Sequence, residues 1–389
     1  MIRNILLGVL LAVSLGANAQ RDTLSLNRGW QFKYGNSSST AQNTDFSTSD
    51  VQQVNLPHDF QISQPWVAPA KNEKADNSDQ AANVKSRLSA RAFKEMGVGV
   101  YRKVLHAPKE WQGRRLLLDF GGIMLVGDVY LNGNRIGGTD YGYVGFDIDV
   151  TKQLRYGADN VLVVVANTMA PNNSRWYTGG GLYRDVRLIA TNRDLYFEHH
   201  PLFLSTPGNK QLNVTAEVSN YTKSPSGLIE VAILDANGHQ VAVHKQSLTF
   251  SRKRRTREYV LDSIPLSNPQ LWSCDHPYLY TAVVSLYRND GTLADRVSEQ
   301  FGVRTFEFSP QFGLKLNGEK VILKGIANHH TLGSLGAAAY PRAIEKRIKL
   351  LKSFGFNHIR CSHNPYSEDL YRLCDKYGII VIDELYDKW

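Results

Sequence analysis

Short runs in which apolar and polar residues alternate fill most of this chain, and helical spacing enters only towards its C-terminal end. Residues 129–136 (VYLNGNRI) are the clearest case. They alternate on either side of Asn132-Gly133, a dipeptide suited to the left-handed conformations of a tight hairpin. Asn160 leads into residues 161–166, an apolar run of strand length predicted to be covered on both faces. No long helical period occurs before about residue 189, and so many short strands predict a two-sheet sandwich or jelly roll. Residues 68–94, polar and rich in Asn, Ser and Ala, read as a long surface loop. A second all-β block, residues 195–301, carries hairpins turning at Asn237-Gly238 and at Asn289-Asp290-Gly291. Its length and turn spacing predict one immunoglobulin-like sandwich.

The pattern then changes. Residues 321–327 read as a strand, and Pro341 opens a helix with Ile344, Ile348 and Leu351 on one face and Gly355 at its end. Residues 357–361 form a second strand. A second helix starts at Ser367-Glu368-Asp369, buries Leu370, Leu373, Cys374 and Tyr377, and stops at Gly378. Residues 379–382 make a third strand, and strand-helix-strand-helix-strand predicts a parallel sheet.

Composition alters this picture at the N-terminus. Arg3, an apolar run at residues 5–15 and Ala17-Asn18-Ala19 before Gln20 form a secretory signal pattern, too short to span a bilayer. The expectation is an exported, periplasmic or secreted protein with no membrane-spanning segment. Cys274, Cys361 and Cys374 are too few for a disulfide framework and lack metal-ligand spacing. The formal net charge of +9 raises nucleic acid as a partner. Its densest run, Arg252 to Arg255 with Arg257, lies between two strand-like segments with no nucleic-acid motif beside it, so a solvated turn is expected and no nucleic acid.

Active sites of parallel α/β architectures lie at the carboxyl ends of the strands. Here the three strand ends carry Asn328-His329-His330, then Arg360 with Ser362-His363-Asn364, then Asp383-Glu384. One such cluster is usually a helix cap; three in succession converge on one face. The histidines and acids suggest a metal, but no helical His pair exists and the spacings match no common zinc pattern. Residues rich in directional hydrogen bonds also suit a ligand with many hydroxyls. Asp383 and Glu384 are adjacent on one strand and point to opposite faces, so they do not make the facing carboxylate pair of a glycosidase.

At this point the residues resemble glycoside hydrolase family 2, the β-galactosidase and β-glucuronidase family. Asn357-His358-Ile359-Arg360-Cys361-Ser362-His363-Asn364-Pro365, Leu373-Cys374-Asp375 and the stretch from Gly378 to Glu384 resemble its signature. Lys324-Gly325, His329-His330 and Leu332-Gly333-Ser334-Leu335-Gly336 resemble its first barrel strand and loop. Leu56-Pro57-His58-Asp59, Arg175-Trp176-Tyr177-Thr178-Gly179-Gly180-Gly181-Leu182-Tyr183-Arg184, Leu271-Trp272, Pro277-Tyr278-Leu279-Tyr280 and Phe301-Gly302-Val303-Arg304 are similar to its upstream motifs, in order.

With the signal pattern taken as a leader at 1–19, the resemblance implies a jelly-roll sugar-binding domain at 20–193, an immunoglobulin-like sandwich at 194–304, and the first strands and helices of a truncated (β/α)8 barrel at 305–389. It implies a retaining mechanism with two glutamates near the fourth and seventh barrel strands, beyond the third strand where this chain stops, so no catalytic residue is assigned. It implies substrate contacts by His329, Arg360 and His363, extended to His330, Asn364, Asp383, Glu384, Arg175 and Trp176. Asn364 stands where some members have Tyr. The metal ligands of some β-galactosidases lie beyond Asp383-Glu384 and Lys388-Trp389 does not reproduce them, so no metal and no cofactor are expected. Structural roles compete: Arg360 pairing with Asp383 or Glu384, Asp383 as a scaffold acid, Arg175 and Trp176 as domain packing, and His58 and Asp59 as structural. Carbohydrate, a β-galactoside by analogy of the His329 loop, is the expected partner; self-association of the full-length form stays open. A non-catalytic carbohydrate-binding protein is the alternative.

Overall fold

The computed structural model describes residues 21–35, 44–68, 92–169, 176–251 and 253–385. The expected leader, most of the loop at 68–94, Arg175, Arg252 and Lys388-Trp389 lie outside the described residues.

Alternation of period two builds the first sandwich. A six-stranded sheet, with Val98–Ala107 and Ala158–Asn167 at its centre, packs on a four-stranded sheet containing Arg115–Phe120 and Val186–Thr191. Trp30, Phe32, Tyr101, Leu118, Phe120, Leu162 and Val164 fill the space between them. The outer face of residues 161–166 is covered by a smaller cluster in which Val163 and Val165 meet Val98 and Val100. Asn132 (φ 51°) and Gly133 (φ 85°) make the hairpin turn between Val126–Leu131 and Asn134–Thr139.

The second sandwich packs a three-stranded sheet on a four-stranded one. Leu212, Val214, Ala216 and Val218 on one sheet face Ile229, Val231, Ile233, Ala282, Val284 and Leu286 on the other, every second residue of their strands. The basic run connects Gln240–Thr249 to Thr256–Pro265, and Lys253, Arg254, Arg255 and Arg257 are exposed.

The third unit is a parallel sheet of Gly325–Asn328, His358–Cys361 and Ile380–Ile382, with helices α1 (Pro341–Ser353) and α2 (Glu368–Tyr377) on one face. Ile326, Ile359 and Cys361 turn towards the helices, where Ile344, Ile348, Leu370 and Leu373 bury them. Ser367 stands at the N-cap position of α2 without a side-chain capping bond, and Gly378, at φ 74°, ends the helix in the left-handed conformation that suits glycine. The chain is thus mostly β, with no closed barrel among the described residues.

One sequence expectation needs correction, and one unit was not foreseen. The first parallel strand begins at Gly325, not 321: the side chain of Asn357 accepts from Lys324 N–H at 2.8 Å and donates to Ile322 O at 3.0 Å, so side-chain bonds hold this stretch where a ladder was expected. An antiparallel meander, Phe306–Ser309, Gly313–Leu316 and Glu319–Lys320, precedes it. The sequence reading named no element there.

Trp272 ties the second sandwich to the third unit. It packs with Leu316, Ile380 and Leu323 and donates from Nε1 to Asp375 O at 2.7 Å. The third unit nevertheless leaves Leu350 (56% exposed), Phe354 (73%) and Ile382 (46%) in water, and one edge of Ile380–Ile382 has no strand partner among the described residues. In a polypeptide of these 389 residues, hydrogen exchange is therefore expected to be fastest from about residue 306 onward, with limited proteolysis leaving a core that ends near Arg304. Protection of residues 325–382 equal to that of the sandwiches would refute this.

Candidate active site

Side chains at even positions of the second parallel strand face away from the helices. His358 is buried and its Nδ1 lies 3.0 Å from Ile380 O, while Arg360 projects into the open end of the sheet. The strand ends then assemble one cluster. Arg360 pairs with Glu384 Oε1 at 2.5 Å, and His363 Nδ1 lies 2.7 Å from Glu384 Oε2. An ionised carboxylate only accepts, so Glu384 fixes the His363 proton on Nδ1 and leaves Nε2 for a ligand. Asp383 points the other way and accepts from Tyr371 Oη at 2.6 Å. The neighbouring acids are divided between the mouth and the helix layer.

The first sandwich supplies a wall to this mouth. The Trp176 ring stacks on His329 with centroids 4.5 Å apart, and His363 stands 5.4 Å from Trp176 and 5.8 Å from His329. An indole and two imidazoles around one space offer an apolar face beside hydrogen-bonding edges, a combination that suits a sugar ring. Arg360, His363, Glu384, His329 and Trp176 are thereby brought together.

Other predicted contacts are placed differently. Asn364 is only 1% exposed, and its Oδ1 accepts from Tyr141 Oη at 2.6 Å. His330 sits beneath the mouth, its Nε2 3.0 Å from Thr178 O and its ring edge-on to Tyr143 and Tyr183. Burial pushes its imidazole down to about 3, so it is neutral and donates to that carbonyl.

Several residues that build the site were not foreseen. Arg347 of α1 holds the first strand's loop through Asn328 Oδ1 at 3.2 Å, His329 O at 3.3 Å and the carbonyl of Thr331. Tyr366 donates to Asn328 O. Arg184 donates to Pro365 O at 2.8 Å and Tyr143 O at 2.8 Å, joining sandwich to barrel unit. Tyr141 and Tyr143 flank Gly142 in a segment otherwise unremarkable in sequence, and no local signal marked them.

The upstream motifs meet at Asp59. This buried carboxylate accepts from Gln61 N–H (3.0 Å), Gly180 N–H (2.9 Å), Tyr177 Oη (2.8 Å) and Ala337 N–H (2.7 Å). Burial pushes its carboxyl up, and the four donors work against that shift. Gly336 (φ 63°) has no room for a side chain, since a Cβ there would lie 2.2 Å from Asp59 Oδ2. Gly179 (φ 78°) is equally confined, its Cβ falling 2.4 Å from that of Ala337.

Comparison with known proteins bears on the whole chain. The model for the glycosyl hydrolases family 2 sugar binding domain matches residues 24–192, the model for glycosyl hydrolases family 2 matches 197–304, and that for the family's TIM barrel domain matches 311–387. A β-galactosidase of Bacteroides ovatus is 34% identical over 95% of this chain, and a β-glucuronidase of Bacteroides fragilis 29% identical over 97%. The chain spans 42% and 51% of the length of these two relatives. The crystal structure of a family 2 member from Bacteroides cellulosilyticus superposes with a TM-score of 0.81 at 35% identity, over 94% of this chain and 48% of that one. Sandwich, sandwich and parallel barrel strands follow one another here in the order of those matches, each at its own stretch of sequence, and the chain belongs to glycosyl hydrolase family 2.

Proposed function

We propose that this chain forms the sugar-facing N-terminal part of an exported retaining β-glycosidase of the β-galactosidase type. The observation that carries the reading is the mouth itself: Trp176 stacked on His329, with His363 oriented by Glu384 beside them. His363 Nε2 and the His329 edge would meet sugar hydroxyls, and Trp176 the apolar face of the ring. The acid/base and nucleophile would come from later barrel strands, and the 389 residues alone supply neither. A neutral sugar fits better than a uronic acid, because Arg360 is already paired with Glu384 at 2.5 Å. The Bacteroides ovatus relative, named a β-galactosidase, points the same way. Export rests on Arg3 and the apolar run that follows it.

The test compares nitrophenyl β-galactoside with nitrophenyl β-glucuronide, using a protein that carries the remaining barrel strands. Galactoside hydrolysis with retained anomeric configuration is expected, at a kcat/KM about 100-fold or more above that on the glucuronide. The 389-residue chain is expected to turn over neither. Preference for the glucuronide would overturn the sugar assignment. Binding of galactosides without turnover in the longer protein would establish the non-catalytic alternative.

A further inference from the structure

Away from the barrel mouth, one junction joins all three units. Asp119 comes from the strand Arg115–Phe120 of the first sandwich, His199 and His200 from Leu195–Ser205 of the second, and Glu368 from the first turn of α2. Successive side chains of a regular strand point to opposite faces, so His199 and His200 should diverge. They do not. The register shifts between Phe197 and Leu202, His200 adopts φ 48°, and the two imidazole centroids come within 3.9 Å.

We propose that Asp119, His199 and His200 bind one first-row divalent cation of the zinc type, with Glu368 as a fourth ligand. One donor atom from each of the first three lies within 4.8 Å of the others. His199 Nε2 stands 3.6 Å from Asp119 Oδ1, and His200 Nε2 stands 3.2 Å from Glu368 Oε1. Four ligands at the usual bond lengths around a tetrahedral zinc stand ~3.3–3.6 Å apart, close to both of these contacts; Glu368 lies outside the mutually close set of three and would swing in from its exposed helix start.

The surroundings suit that role. His199 Nδ1 lies 3.4 Å from Asp147 Oδ1, the carboxylate-to-imidazole contact that presents the opposite nitrogen to a metal. Arg187 takes the outer oxygens, Asp119 Oδ2 at 3.6 Å and Glu368 Oε2 at 2.9 Å. The oxygens that face the histidines are the other two. Two imidazoles with two carboxylates suit zinc rather than calcium or magnesium, which take all-oxygen shells. The cluster opens on a groove of about 1120 Å³, so an ion can reach it. A cation here would cross-link both sandwiches to the barrel unit.

Cobalt(II) is the spectroscopic probe and zinc the competitor, added to the untagged chain after chelator treatment. One equivalent of cobalt with the intense visible bands of a tetrahedral site, displaced by zinc, is expected. Zinc at one hundred times its Kd should raise Tm by about 3 °C. His199→Ala and His200→Ala should abolish both effects while keeping the metal-free Tm, and His106→Ala, at an exposed His–Asp pair, should abolish neither. Glu368→Gln, at an exposed helix start, should weaken zinc about tenfold, and it decides the matter should the histidine variants fail to fold. No stoichiometric binding by the unmodified chain, or binding unchanged in Glu368→Gln and the histidine variants, would overturn the proposal and leave an ion-pair network.

Discussion

Replacing His363 by alanine, in a protein that carries the remaining barrel strands, should lower kcat/KM by about 10²-fold, on the order of 3 kcal/mol of transition-state stabilisation. The imidazole is held from one side by Glu384 at 2.7 Å and stands 5.4 Å from the Trp176 ring. Its remaining nitrogen therefore meets a bound ring in one fixed orientation, with no reorganisation at the moment of reaction. If that contact strengthens as charge develops on the sugar, kcat and kcat/KM should fall together and KM should move little. His363→Asn can still donate to Glu384 but lacks the second ring nitrogen, so it should retain the fold and remain as impaired as the alanine variant. Near-unaltered kinetics in both variants would assign His363 to packing. A loss confined to thermal stability would do the same.

Much of the fold was legible because local chemistry sets it. Asn132-Gly133 adopts the two left-handed conformations its residue types favour, and Pro341, Ser367 and Gly378 mark helix ends where they were read. What escaped was held by distant partners. The start of the first parallel strand moved because Asn357, more than thirty residues later, satisfies the backbone at Ile322 and Lys324. The meander of residues 306–320 pairs its short strands with one another, but it is seated by Leu316 and Asn317 on Trp272, more than forty residues earlier.

The site divides in the same way. Adjacency just past the third strand sufficed to send Asp383 and Glu384 to opposite sides, one to Tyr371 and the other to Arg360 and His363. The union of Trp176 with His329 was not legible as geometry, because it spans two domains and depends on how they dock. Tyr141 reaches Asn364 across more than two hundred residues, and nothing local to either announces it. The motif Leu56-Pro57-His58-Asp59 was read as structural, and its role emerges only when Gly180 and Ala337 are brought to it.

That convergence sets the largest expected stability effect. Asp59→Ala removes an acceptor shared by three backbone N–H groups and the Tyr177 hydroxyl, at a carboxylate that is 5% exposed. Each buried donor left without a partner costs about 1–3 kcal/mol, and relaxation or water entry would recover part of the sum. The expected loss is about 3–5 kcal/mol, in the range for breaking a buried charged network by removing one member. Asp59→Asn separates the contributions. Its oxygen can still accept from Gln61 and Gly180, and its amide can donate to the Tyr177 oxygen, but an N–H would face the Ala337 N–H. The asparagine variant should therefore keep most of the first sandwich's stability while loosening the loop that carries Gly336 and Ala337. Urea unfolding reports the first quantity and hydrogen exchange at the Ala337 amide the second. An asparagine variant as unstable as the alanine one, with Ala337 still protected, would show that Asp59 stabilises the sandwich alone and does not fasten it to the barrel.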